Sequence, residues 1–204
     1  MTRDGFAQLI NYQKDLAVCG QAGTAAKAIV GIDTTKPDLV IVDLSLADAS
    51  GLDLIKDLKN RYPSLPILVL SMHDEAVYAE RALRAGAKGY VMKQAPTSEV
   101  MHALRTVLRG ELYFSEVMRS QMVRKHLHGA SCAPSPEIDA LTDRELEIFQ
   151  LIGAGYTTRR MAATLHLSSS TVETHRARIK QKLKVNDRMQ LVRRAVEWEN
   201  RQHR

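Results

Sequence analysis

Hydrophobic positions along residues 5–109 alternate between two periods. Short unbroken apolar runs, such as L-V-I-V at 39–42 and I-L-V-L at 67–70, suit strands of a parallel sheet covered on both faces. Between them apolar residues recur every three or four positions, the spacing of one helical face. The pattern predicts helices at Gly5–Tyr12, Thr24–Thr35, Gly51–Arg61, Glu75–Ala85 and Thr97–Arg109, and strands at Leu16–Ala22, Leu39–Leu44, Ile67–Ser71 and Gly89–Lys93. This alternation defines a doubly wound α/β domain with a parallel sheet, in which chemistry gathers at the carboxyl ends of the strands. Reading those ends gives Asp43, Ser71 and Lys93.

Beyond residue 141 only the helical period remains. A first helix opens at L-T-D-R-E, where Thr142 and Glu145 form a capping box and Leu141 with Leu146 a hydrophobic staple; Leu146, Phe149 and Ile152 face inward and Gly155 follows its end. A second, Thr158–Leu165, has Thr157 as cap and Tyr156 with Met161 as staple. After a turn at His166–Ser168 comes a third, capped by Ser168, whose buried stripe is Val172, Ile179 and Leu183. A fourth runs from Arg188 to Glu199 and buries Leu191, Val192, Ala195 and Trp198. Between the two regions a helix is expected from about Glu116 to Leu127, followed by a Gly, Ala, Ser and Pro linker at His128–Glu137. The chain thus divides into an α/β domain at 1–114, a linker segment at 115–140 and an all-α four-helix domain at 141–204.

Charge separates the two domains. Residues 1–114 carry 13 basic and 13 acidic side chains, whereas residues 156–194 carry ten Lys or Arg against Glu173 and Asp187. The excess of +6 in the whole chain therefore lies in the helical part, as an anion-binding surface requires. On the third helix Thr174, Ala177 and Gln181 face outward, flanked by Glu173, His175, Arg178, Lys180 and Lys182. Small and polar residues with cations on both sides suit a groove in double-stranded DNA, bases ahead and phosphates beside. Cations that merely solvate a bundle are the alternative, but three capped helices in a helix-turn-helix arrangement, with the cations gathered around one of them, weigh against it.

Other chemistry is sparse. Cys19, in an expected strand, and Cys132, in the linker, are too few for a disulfide framework, and His126 and His128 lack a third ligand at metal spacing. No apolar run is long enough to span a membrane and no signal peptide opens the chain, so a reducing cytoplasm is expected.

An Asp at one strand end beside a Lys and a hydroxyl at two others can accept a phosphoryl group: the carboxylate attacks, the ammonium neutralises, and the hydroxyl binds a phosphoryl oxygen. Singly, strand-end Asp and Ser also cap helices and a strand-end Lys also snorkels. Their order is more specific. D-L-S-L, V-L-S-M-H-D and A-L-R-A-G-A-K-G-Y-V-M-K resemble the receiver domains of two-component response regulators of the NarL/FixJ subfamily, over most of residues 3–114. L-T-D-R-E, M-A-A-T-L-H-L-S-S-S-T-V-E-T-H-R-A-R-I-K-Q-K-L and V-N-D-R-M-Q-L-V resemble the DNA-binding domain of LuxR-type regulators over residues 141–196. The resemblance implies Asp43 as phosphoacceptor, Ser71 as switch hydroxyl, Tyr90 as the aromatic that moves with it and Lys93 as the phosphate-binding lysine. It also implies base contacts from Glu173, Thr174 and Ala177, and DNA-backbone contacts from His175, Arg178 and Lys182. Where many relatives carry Lys, Glu173 either accepts from cytosine N4 or only favours the helix N-terminus electrostatically.

Two departures qualify the resemblance. A receiver of this family begins with a further strand and an acidic pair that holds Mg2+; here M-T-R-D-G-F-A-Q-L-I aligns with the following helix, and Asp4 is a poor substitute. Asp43 and the Ser45 backbone carbonyl would contribute to a metal site, but Mg2+ is expected only if the native protein supplies the acids. In the strand order 2-1-3-4-5 the absent strand lies between those holding Val18 and Val40, leaving both with unpaired backbone groups. Either the reading frame starts at an internal codon, which retention of Asp43, Ser71, Tyr90 and Lys93 favours, or the protein is short and its receiver incomplete. After Asp43, Leu46 and Ala47 replace the Met-Pro of many relatives, and Asp48, Asp53 and Asp74 read as loop and helix-start acids.

The expectation is a DNA-binding response regulator, not an enzyme, phosphorylated on Asp43 by a sensor histidine kinase and acting as a homodimer on DNA, with Met189, Val192 and Trp198 as dimer-contact or core candidates. The rivals are a transcription factor independent of phosphorylation and an interaction module that inhibits a full-length regulator.

Overall fold

The computed structural model describes residues 3–45, 50–116, 118–120, 136–165 and 167–202. The chain forms two compact units, Met1–Val123 and Arg124–Arg204. The loop Leu46–Ala49, most of the helix expected at 116–127, the linker with Cys132, His126 and His128, and His166 lie outside the described residues.

The first unit contains α1 (Arg3–Asn11), α2 (Ala25–Thr35), β1 (Val40–Val42), α3 (Gly51–Arg61), β2 (Ile67–Ser71), α4 (Glu75–Ala85), β3 (Gly89–Met92) and α5 (Thr97–Leu108). The strands are parallel in the order β1-β2-β3, with Val40 opposite Ile67 and Leu68 opposite Gly89. Every residue of β2 is buried, as its unbroken apolar run requires for a central strand covered on both faces. Phe6, Ile10, Leu68, Leu70, Val91, Val100, Leu104 and Val107 make the core between α1, α5 and the sheet. Each such side chain withdrawn from water contributes about 1.5–3 kcal/mol. Helix starts follow local sequence: the Thr24 side chain accepts from Lys27 N–H and that of Asp74 from Ala76 N–H.

One expected strand does not form. Leu16–Ala22 has no ladder partner, and among the described residues none stands beside the outer edge of β1. A strand is defined by its neighbour, so the apolar run alone cannot make one. Leu16 and Val18 still pack on the core with Leu39 and Ile41, while Val18 N–H donates to Asn11 Oδ1 at 2.7 Å. Cys19, placed by sequence in that strand, is exposed.

The second unit contains α6 (Pro136–Asp139), α7 (Asp143–Gly153), α8 (Thr158–Thr164), α9 (Ser169–Lys182) and α10 (Arg188–Gln202). The capping box at Thr142 and Glu145 is present, Thr157 caps α8 and Ser168 caps α9. Gly155 sits at φ +77 after α7, a left-handed conformation that glycine adopts without steric cost. Leu146, Phe149, Ile152, Met161, Val172, Ile179, Leu183, Leu191, Ala195 and Trp198 are buried, and the Phe149 and Trp198 rings lie 5.8 Å apart. The unit reaches back into the expected linker: Ile138 is buried and Glu137 pairs with Arg194. Among the described residues no helix is long and apolar enough to cross a membrane.

Candidate functional site

In the first unit, parallel strands deliver three side chains to one end of the sheet. Lys93 Nζ, just past β3, is bonded to Asp43 Oδ2, just past β1. Asp43 Oδ1 accepts from Ser45 N–H at 3.0 Å. Ser71, the last residue of β2, is fully buried, and its Oγ accepts from His73 N–H at 3.1 Å. Tyr90 on β3 is 1 % exposed and donates its hydroxyl to the His73 carbonyl at 2.8 Å; burial pushes its phenol well above the usual tyrosine range. The four residues singled out in the sequence are thus one cluster.

Sequence reasoning gave His73 no role, yet it joins the cluster. Its Nε2 lies 3.1 Å from Ser45 Oγ and its ring 4.7 Å from that of Tyr78. Burial lowers its pKa and Lys93 adds to this, against the pull of Asp43. Position was the available signal: His73 stands two residues beyond Ser71, as Ser45 stands two beyond Asp43.

The close approach of α3 to Asp43 depends on Gly51. A Cβ there would lie 2.5 Å from both the Asp43 carbonyl oxygen and Leu44 Cα, so only glycine lets α3 start this close to Asp43. Among the described residues no group of three or more His, Cys, Asp or Glu side chains could hold a metal ion, and both Asp43 carboxylate oxygens already accept from the chain. The described residues therefore do not make up a Mg2+ site. Asp53 and Asp74 take local roles, Asp53 pairing with Lys56 and Asp74 capping α4.

In the second unit α8, the turn and α9 form the helix-turn-helix. Thr174, Ala177, Arg178 and Gln181 are exposed along α9 while Val172 and Ile179 are fully buried. Three expected DNA-contact residues are also engaged or partly covered within the unit. Lys182 Nζ bonds to Glu145 Oε2 at 2.6 Å and to the Ala140 carbonyl at 3.0 Å. It braces α9 to the start of α7 because Glu145, at 2 % exposed, has no water to turn to. Burial alone would raise the Glu145 carboxyl, but Lys182 and Thr142 outweigh it and hold the group below the usual carboxylate range. His175 is half-buried, with its Nδ1 shielded and without a partner among the described residues. Burial lowers its pKa, as do Arg178 and Arg144, against Glu145. Glu173 accepts from Thr158 Oγ1 at 2.7 Å and from Arg176 at 3.0 Å.

Arg176, which sequence reasoning overlooked, is 5 % exposed and belongs to the inner face. Its spacing from Val172 and Ile179, four and three residues, was the signal. Of the dimer-contact candidates on α10, Trp198 is core, Val192 is half-buried and Met189 is 76 % exposed.

A parallel α/β unit with an Asp, Lys and hydroxyl cluster at its strand ends, followed by a basic helix-turn-helix unit, is the build of a DNA-binding response regulator. Residues 1–105 match the response regulator receiver domain and residues 139–195 match the bacterial regulatory proteins of the luxR family. The chain is 35% identical over 196 residues to the oxygen regulatory protein NreC of Staphylococcus haemolyticus, covering 94% of this chain and 90% of that protein. Among solved structures it resembles a LuxR-family two-component response regulator from Aurantimonas sp. at 28% identity, covering 61% of this chain and 89% of the other, with a TM-score of 0.57. In fold it also resembles RcsB from Salmonella enterica serovar Typhimurium bound to promoter rprA, at 23% identity, 93% and 90% coverage and a TM-score of 0.59. The chain belongs to the LuxR-family two-component response regulators, in which a receiver and a LuxR-type DNA-binding domain regulate transcription.

Proposed function

We propose that Asp43 is the phosphoacceptor of this regulator and that the exposed face of α9 is its DNA-reading surface. The observation that carries the first part is the convergence of Asp43, Lys93 and Ser71 at the ends of three adjacent strands, with Lys93 already against the carboxylate. An Asp43 carboxylate oxygen attacks the phosphorus of a phosphohistidine on a sensor histidine kinase; the O–P bond forms as the P–N bond breaks, and the kinase histidine leaves. Lys93 then offsets the added charge, and the Ser71 hydroxyl donates to a phosphoryl oxygen. Because Ser71, His73 and Tyr90 are bonded in series, a shift of Ser71 toward the phosphoryl group pulls on Tyr90. That is the route by which chemistry at Asp43 changes the domain's contacts.

On α9, Thr174 and Ala177 face base edges in the major groove, with Glu173 beside them, and Arg178 meets the phosphate backbone. Lys182 and His175 are left out of the backbone set, being engaged or shielded inside the domain. The regulator acts in the cytoplasm as a homodimer on paired half-sites of double-stranded DNA, and the apolar Met189, with Val196 two turns further along α10, offers surface for pairing.

A second reading, DNA binding independent of phosphorylation, is favoured by the lack of a metal-holding acidic group among the described residues. Intact mass after exposure to acetyl phosphate, with and without Mg2+, separates the two. Gain of one phosphoryl group that is lost in Asp43→Ala supports the switch. No gain in either condition, from a chain that still retards promoter DNA, leaves the second reading.

A further inference from the structure

Among the cations of α9 stands one exposed carboxylate, and it is held in place from behind. Glu173 Oε1 accepts from Thr158 Oγ1 at 2.7 Å and from Arg176 Nη1 at 3.0 Å, and the same Arg176 nitrogen donates to Thr158 Oγ1 at 2.8 Å. Each of the three groups is bonded to the other two. Arg176 is 5 % exposed and cannot swing out to solvent, so the triangle fixes the Glu173 rotamer against α8. Oε2 has no partner among the described residues, and the Glu173 side chain is 57% exposed.

We infer that Glu173 reads cytosine: its free Oε2 accepts a hydrogen bond from the exocyclic N4 amine in the major groove, while Thr158 and Arg176 act as positioning residues. This rests on the assignment of α9 as the DNA-reading helix. A carboxylate only accepts hydrogen bonds. Guanine and thymine present acceptors at the corresponding edge, and adenine places its N6 donor beside the N7 acceptor; cytosine alone offers a donor without an adjoining acceptor. An unanchored acid in this place would be turned away by the phosphates. Arg176 and Arg188 offset its charge, and the triangle has already removed the rotamer entropy that binding would otherwise cost.

The test is selection of binding sites from randomised duplexes by the full chain, wild type and variants, with affinities then measured on the selected duplex and its single-base changes. The wild type should prefer cytosine at one position of each half-site by about tenfold, the size of one mismatched pair. The near-isosteric Glu173→Gln should lose that preference in favour of adenine, whose N6 and N7 a carboxamide can pair. Thr158→Val should weaken the cytosine preference at that position and leave the other positions unchanged, which a merely structural role would not do. Glu173→Ala and Glu173→Gln binding every duplex more tightly, with unchanged base preferences, would overturn the inference and leave Glu173 as a repulsive surface acid. A wild type that enriches no duplex would strike the DNA-reading assignment itself, whereas an enriched site with no dependence on residue 173 overturns the cytosine reading alone.

Discussion

Replacing Lys182 by Met tests whether this cation serves DNA or the fold. Glu145 is 3% exposed at its side chain, and Lys182 supplies its only cationic partner among the described contacts. Removing one member of a buried ion pair costs about 3–5 kcal/mol, because the remaining charge is left unpaired. Two features reduce that figure here: Lys182 is itself 33% exposed, and Thr142 N–H still donates to Glu145 Oε2 at 2.8 Å. A loss of about 2 kcal/mol at pH 7 is expected, or roughly 10 °C in the melting temperature for a domain of this size.

The pH dependence of that loss has a definite sign. In the wild type the Glu145 pKa is depressed, so its stabilisation is present above the unfolded value of about 4.3 and disappears as pH falls through the lower folded value. Without Lys182, burial is opposed by Thr142 alone, so the folded pKa rises above that of the wild type, and the variant recovers ground by binding a proton as pH falls from 7 toward 4. The gap between wild type and Lys182→Met should therefore narrow over that range. Calorimetry of the full chain at several pH values, together with DNA affinity against salt, reads both effects. A loss below about 0.5 kcal/mol with a gap flat in pH would refute the brace. A salt slope shallower by about one contact without any loss of stability would restore Lys182 to the phosphate backbone.

Three further expectations follow from single positions. Gly51→Ala places a Cβ against the Asp43 carbonyl and should cost about 1–3 kcal/mol while slowing phosphoryl uptake at Asp43; a urea midpoint and labelling rate equal to the wild type would count against this close approach. Gly153→Ala would bring its Cβ within 2.9 Å of the Ala195 carbonyl oxygen and should force α7 from α10, seen as a melting temperature lowered by several degrees; an unchanged melt would count against this close approach. Arg178→Ala should weaken binding to all duplexes alike and reduce the salt slope by about one, and a change confined to one base position would reassign Arg178 to base reading.

What the sequence settled by itself was local or periodic. Unbroken apolar runs and helical spacing placed β2, α3 and α4 at the bounds observed, because strand and helix each impose their own period on what must be buried. Caps at Thr142, Thr157 and Ser168 were legible because donor and acceptor lie three residues apart. Asp43, Ser71 and Lys93 were legible as neighbours because parallel strands put their carboxyl ends together whatever the loops do. The tertiary structure decided which groups meet across long stretches of chain. Ser45 and His73, 28 residues apart, meet beside Asp43; Thr158 and Arg176, 18 apart, hold Glu173; Lys182 and Glu145, 37 apart, pair with each other. Leu16–Ala22 has the composition of a strand but, among the described residues, no neighbour to pair with. A side chain's periodicity states which face it occupies, whereas its partner depends on how the elements pack, and for a charged or hydrogen-bonding group the partner decides the role.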